Sequence, residues 1–345
     1  GQMPDWNPAE IIGLNPRPLA FSIYKKVITD KSWATARQLM DYKKPSDLSL
    51  MINFGGLPYI NTKLSFNSFL PKKLNNKISE KLVNHWLDRL KHNPTLHDKI
   101  EFEIAITCFS FDLDNKIKNL TGNILNHKEK KIYKNELKNI FIKLIDDDHN
   151  GSIKKSINNL NKLENIQKKF NSNDDIKKII TDCINLGTIP FSILARHAFI
   201  SKTVLNSLHS LRILSSSDID NIFANISTIS TSFIDDVYKL NKKKISKKSF
   251  NIKYGHLRPG TYDILSKRYD EHNYINFDIS KNTNNQSHID NKLSKKKILK
   301  INSILLKNSI PMNANRLFEY VKQSTSMREY SKFIFSKSIS HLIKR

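Results

Sequence analysis

The chain has 345 residues, enough for a sizeable core and for two or three compact units, and no segment approaches the ~18 continuous apolar residues of a membrane span. Its 57 Lys and Arg against 32 Asp and Glu give a formal net charge of +25, but the excess is scattered in short runs, Lys128–Lys131, Lys242–Lys244, Lys247–Lys248 and Lys295–Lys297, with no aromatic-interleaved stripe to form a nucleic-acid groove. Two cysteines, Cys108 and Cys183, in no metal-like or redox-like spacing argue against a disulfide framework, and with no apolar leader after Gly1 the expected compartment is the cytoplasm.

The opening MPDWNPAEIIGLNPRPLA carries Pro4, Pro8, Pro16 and Pro18, which force extended or turning backbone, so residues 1–20 read as a connection. An apolar stripe of Ile23, Val27, Trp33 and Ala36 predicts a helix over 21–40. From Leu48 the period becomes two: Leu48, Leu50, Ile52 and Phe54 face one way, Gly55-Gly56 turns the chain, and Ile60, Thr62, Leu64 and Phe66 return it as a hairpin. A helix over 76–92 ends before Pro94, and Ile100, Phe102, Ile104, Ile106 and Cys108 alternate as a third strand. Residues 21–113 therefore read as a small α+β unit.

Beyond 113 the period is helical, with helices expected near 131–145, 153–169, 174–186, 190–214, 218–241, 292–308 and 313–342, and a loop over 281–291. The fold class is α+β, mainly α: an N-terminal unit with antiparallel strands, then a larger helical bundle over 114–345.

Few constellations carry chemistry. Asp146 to Gly151 opens like a calcium loop, but Ile157 stands where a bidentate Glu must close it. His85, His92 and His97 lack the i, i+4 spacing that puts two imidazoles on one metal, so no metal site is expected. Glu101 and Glu103 share one face of the expected strand and read as a solvated face. A glycine-rich phosphate loop and a G-x-S-x-G elbow are both missing. What stands out is KYGHLRPGTYDILSKRYDE over 253–271, where His256, Arg258, Tyr262, Asp263 and Arg268 crowd a Pro259-Gly260 turn. The residue pattern leaves two readings: a stiff loop presenting ligand-binding side chains, or a surface turn whose Arg and Asp satisfy each other.

Six segments, MPDWNPAEIIG, NPRPLAFSIYKKVI, LPYINTKLSFNSFLP, HDKIEFEI, YGHLRPGTYDILSKRYDE and MREYSKFIFSKSIS, together resemble the central portion of phosphoenolpyruvate-synthase-like phosphotransferases. Within that group the chain is most similar to the L-glutamine kinases of capsular phosphoramidate biosynthesis. More distantly, the YGH-R-PG arrangement and the late Arg-Glu helix resemble the substrate-binding domain of rifampicin phosphotransferases. The resemblance implies a substrate-binding unit, with residues 1–20 leading from an ATP-grasp portion and a phosphohistidine domain lying elsewhere. ATP and Mg would be bound outside this chain, which would be inactive alone. The acceptor implied is L-glutamine; pyruvate or another small metabolite is the alternative, and a basic nucleic-acid-binding protein is the competing class.

The same resemblance selects site residues. Asp263 and His256 are the candidate catalytic groups. Arg258, Tyr262 and Arg268, with Arg328 and Glu329 from the late helix, are the candidate substrate-binding groups. A glutamine amide nitrogen is a weak nucleophile, so its phosphorylation calls for a base and a charge-stabilising cation.

Overall fold

In the computed structural model, which describes residues 8–45, 48–146, 151–260, 262–271 and 293–345, helices dominate and a single small hairpin supplies the strands. This is the expected α+β, mainly α class. The Asp146 to Gly151 segment and the 281–291 loop fall largely or wholly outside the described residues.

The N-terminal part begins with α1 (Pro8–Ile12) and α2 (Pro18–Tyr24), the latter continuing through a π-helical turn at Lys25–Thr29 before α3 (Ser32–Leu39). The expected helix over 21–40 is thus interrupted at residues 30 and 31. Strands β1 (Met51–Phe54) and β2 (Leu57–Ile60) pair antiparallel with Phe54 opposite Leu57. Gly55 and Gly56 sit at φ +60° and +84°, the two left-handed positions that a tight two-residue hairpin turn requires. The return strand stops earlier than alternation suggests: Asn61 caps α4 (Thr62–Asn67) by accepting from Leu64 N at 3.2 Å.

Helix α5 (Asn76–His92) has the expected bounds. The third strand does not form. Ile100–Ile104 is a π-helical turn, closed by Ala105 N donating to Ile100 O at 2.8 Å. Among the described residues no neighbouring strand is at hand to pair with an extended 100–108, so the backbone satisfies itself locally.

Helices α6 (Leu113–Thr121), α7 (His127–Ile145), α8 (Ser152–Gln167), α9 (Ile176–Cys183) and α10 (Ile189–Ser210) follow, the last two joined by a π-helical turn. The stretch Ile176–Ser210 is long and apolar enough to cross a membrane by length and composition, yet 67% of its most apolar window is buried against neighbouring helices. It is the axis of the bundle, packed by α3, α8 and the 31-residue helix α15 (Ala314–Lys344). One continuous core runs from Ala20 to Ile343 across residue 113, and Thr188 Oγ1 on the axis donates to Val27 O at 2.6 Å.

The expected helix over 218–241 is two helices, α11 (Ser216–Ala224) and α12 (Ile229–Asn241), each opened by a reciprocal capping box, at Ser215/Asp218 and Thr228/Thr231. Helix α13 (Lys247–Tyr254) folds back on α12, and α14 (Lys295–Lys307) precedes α15. The α12–α13 pair has its own small core of Val237, Phe250 and Tyr254, with Phe333 of α15 packed against it.

Candidate functional site

The 255–271 segment leaves α13 at Gly255, where an added Cβ would lie 2.4 Å from Asn251 O and 2.9 Å from Asp270 Cβ. Two backbone bonds close the loop there: Tyr269 N donates to Leu257 O at 2.9 Å and Asp270 N to Gly255 O at 3.3 Å. The Pro259-Gly260 turn is braced from inside, Gly260 N donating to Ser266 Oγ at 3.0 Å and Asp263 N to Gly260 O at 3.0 Å. Gly260 does not take a positive φ; its role is room, since a Cβ would approach Asp263 Cβ to 3.1 Å.

The charged side chains of this loop are spent on the loop. Arg258 is buried, its two terminal nitrogens donating to Asp263 O and to Ser340 Oγ, each at 3.2 Å. Arg268 forks onto the Asp270 carboxylate and donates to Gly255 O at 3.3 Å. Asp263 accepts from Leu265 N at 2.9 Å and lies 3.4 Å from Arg17 Nε. The two arginines therefore hold the turn, and Asp263 holds the turn and the N-terminal connection. This is the surface-turn alternative for these three residues, with Arg17 in the place of Arg258 as the partner of the Asp263 carboxylate.

His256 is buried edge-on against Phe333, ring centroids 4.8 Å apart, with the backbone of Lys253 and Phe333 beside its imidazole. Burial, with the nearby Lys337 charge, pulls its pKa down to about 3, so the imidazole is neutral at physiological pH. Tyr262 is 1% exposed, packs edge-on to Tyr24 at 5.9 Å, and has no hydrogen-bond partner for its hydroxyl among the described residues. Burial raises its pKa well above that of a free phenol, so it stays protonated.

The concave feature beside this loop is a cleft of about 440 Å³ between α12, the 254–269 segment and one face of α15, with Ile11 of α1 at its edge. Phe233, Tyr254, Tyr262, Tyr269, Phe333 and Phe335 supply aromatic walls. Glu329 and Lys332, half-buried on α15, are the charged residues in the lining. The structure thus brings Tyr262 and Glu329 to one cavity and leaves Arg258, Asp263 and Arg268 out of its lining. Arg328 faces the other way, its guanidinium 5.6 Å from the centre of the Phe199 ring on α10. Residues i and i+1 on a helix do not share a face, which separates Arg328 from Glu329.

Two buried polar clusters lie elsewhere in the bundle. Arg196 and Glu101, fully buried, form an ion pair completed by Thr107, whose hydroxyl donates to Glu101 Oε2 and accepts from Arg196 Nη2, each at 2.6 Å. Arg196 also lies 5.4 Å over the rings of Tyr42 and Phe69. Glu101 is therefore an interior anion, not a residue of a solvated face. On the next position His197 bridges Ser152 Oγ, 2.8 Å from Nε2, and Tyr320 Oη, 2.9 Å from Nδ1. Burial, with Arg196 alongside, pushes its pKa down to about 3, which makes it a poor base and a good neutral tie between α8, α10 and α15.

Neither cluster carried a sequence signal strong enough to find it. Arg196 and His197 sit inside the apolar run IPFSILARHAFI, and a charged residue in such a run was the available hint. Among the described residues no group of three or more His, Cys, Asp or Glu is placed to hold a metal ion. Comparison of the chain with protein-family models, with curated proteins and with solved structures returns no match.

Proposed function

We propose that this chain is the acceptor-binding portion of an ATP-dependent phosphotransferase working through a phosphohistidine, and that the acceptor lies in the aromatic cleft. One observation carries the proposal. Three of the segments that resemble the phosphoenolpyruvate-synthase-like group line that single cleft: Ile11 from the first, Tyr254, Leu257, Tyr262 and Tyr269 from the 254–271 stretch, and Glu329, Lys332, Phe333, Phe335 and Ser336 from the late helix. Segments far apart in sequence gain from meeting at one concave surface when that surface has work to do.

In this reading the roles differ from those that the turn suggests. Glu329 and Tyr262 face the acceptor. Arg258, Arg268, Asp263 and His256 shape the loop that presents Tyr262 and Tyr269. Glu329 is the carboxylate of the lining and so the group available to the acceptor's positively charged or proton-bearing end. Tyr262 stays protonated throughout the physiological range with its hydroxyl sealed inside, so it contributes its ring to the cleft wall. ATP, Mg²⁺ and the phosphohistidine belong to domains beyond this chain and would supply the phosphoryl group. L-Glutamine is the first acceptor to try and pyruvate the second. A cytoplasmic setting belongs to the same proposal and is consistent with two free, buried cysteines.

Titration calorimetry and thermal unfolding of this chain with L-glutamine, pyruvate and other small amino and keto acids test the reading. Saturable binding that Phe333→Ala and Tyr269→Ala weaken is expected, with no AMP formed from ATP by the chain alone. Binding that ignores both substitutions, or ATP turnover by this chain, overturns it.

A further inference from the structure

We infer that the cleft reads a zwitterionic α-amino acid by its two head groups, ammonium at Glu329 and carboxylate at Lys332, and takes an apolar, preferentially aromatic, side chain between its rings. The inference rests on the cleft being the ligand site, as proposed above, and not on the identity of any acceptor named there.

The charge pattern comes first. Glu329 and Lys332 both line the cleft and stand three residues apart on α15, hence on one face with Cβ atoms about 5–6 Å apart. Opposite charges at that spacing commonly pair, yet neither residue enters an ion pair among the described residues. An acid and a base, side by side and half-buried, match a ligand that carries the opposite charges one carbon apart. The ring faces add to this at the ammonium end, because an aromatic quadrupole attracts a cation.

The walls decide the side chain. Tyr254 Oη donates to Asp236 at 2.9 Å and Ser336 Oγ donates to Phe333 O at 2.7 Å, so these hydroxyls have spent their protons. Tyr262 Oη is sealed from the cleft, and Ser230 lies on the exposed side of the lining, so the ringed wall offers little hydrogen bonding. A carboxamide brings two donors and two acceptor positions, and most of them would be stripped of water without replacement. A hydrocarbon or aromatic side chain loses nothing there and gains contact with the half-buried rings of Phe233, Tyr269 and Phe333.

The test titrates the intact 345-residue chain with L-phenylalanine, L-glutamine, 3-phenylpropanoate, which lacks the ammonium, and 2-phenylethylamine, which lacks the carboxylate. L-Phenylalanine is expected to bind about tenfold or more tightly than each of the other three, the scale of one charge-assisted contact. Glu329→Gln should weaken L-phenylalanine and 2-phenylethylamine by a similar factor and leave 3-phenylpropanoate unchanged; Lys332→Met should weaken L-phenylalanine and 3-phenylpropanoate and leave 2-phenylethylamine unchanged. Both variants should keep the parent melting temperature. Equal binding of all four compounds, indifferent to both substitutions but lost in Phe333→Ala, overturns the head-group assignment while the cleft stands as the site. Tighter binding of L-glutamine than of L-phenylalanine overturns the apolar pocket. No binding by any compound overturns both this inference and the reading of the cleft on which it rests.

Discussion

The Arg196–Glu101 pair and the 254–271 loop use charge in opposite settings. At the first, an arginine and a glutamate from distant segments meet in the middle of one continuous core, sealed by Thr107, Tyr42 and Phe69. At the second, Arg258, Arg268, Asp263 and Asp270 satisfy one another and the backbone at the seam between the main core and the small core of Val237, Phe250 and Tyr254. Where one core is continuous the charges are closed in by packed side chains. Where two cores fail to merge, a cleft remains, walled by core aromatics and by the half-buried rings of Phe233, Tyr269 and Phe333. Buried charge in this protein therefore marks architecture, and the concave apolar seam beside it marks the candidate site.

The sharpest way to break that comparison is to strip the interior anion. Glu101→Ala leaves Arg196 charged in a dry core and should cost about 3–5 kcal/mol in urea unfolding. The paired change Glu101→Leu with Arg196→Met should recover most of it, because no charge is then left to desolvate. A loss under about 1 kcal/mol, the scale of an exposed pair, would place Glu101 with the surface charges instead.

Acid should act on both regions through their neutral histidines. His197 and His256 have folded pKa values lowered to about 3, so the unfolded chain binds the extra protons. Stability contributed this way is present above the unfolded histidine value of about 6.5 and is lost as pH falls from there toward 3, at roughly 1 kcal/mol per pH unit for each residue. Urea midpoints measured from pH 7 to pH 4 should fall accordingly, and His256→Leu should remove about half of that slope. A slope that survives in a variant lacking both imidazoles would trace to the carboxylates.

The loop arginines provide the next test. Arg258→Ala removes two hydrogen bonds from a buried guanidinium and should lower stability by about 1–3 kcal/mol. Ligand affinity at the cleft should change far less, because Arg258 is not in the lining. A variant that keeps its stability and loses affinity would return Arg258 to the ligand. The smallest effect concerns the scattered lysines: fluorescence anisotropy with duplex DNA or single-stranded RNA should show weak, sequence-indifferent binding that fades with salt. A tight, sequence-preferring complex at physiological salt would overturn that expectation.

Local patterns in the sequence determined a good deal. The amphipathic period and the stop at Pro94 define α5 to the residue, Gly55-Gly56 specifies a hairpin through its two left-handed positions, and the order of the long helices follows from their apolar stripes. Of the candidate site, Tyr262 and Glu329 were legible through segment resemblance.

What only the tertiary structure decided is partnership. Residues 100–108 alternate like a strand but find no strand to pair with among the described residues, so Ile100–Ile104 coils into a π-helical turn and sends Glu101 inward to Arg196. Arg258 and Arg268 have the chemistry of ligand clamps, yet Ser340 and Asp270 reach them first. Lys332 gave no signal of its own until α15 set it beside Glu329 at the cleft. A side chain's type limits the bonds that it can make, whereas which bond it makes depends on groups brought near by the packing of segments far away in the chain, and local sequence carries little of that information.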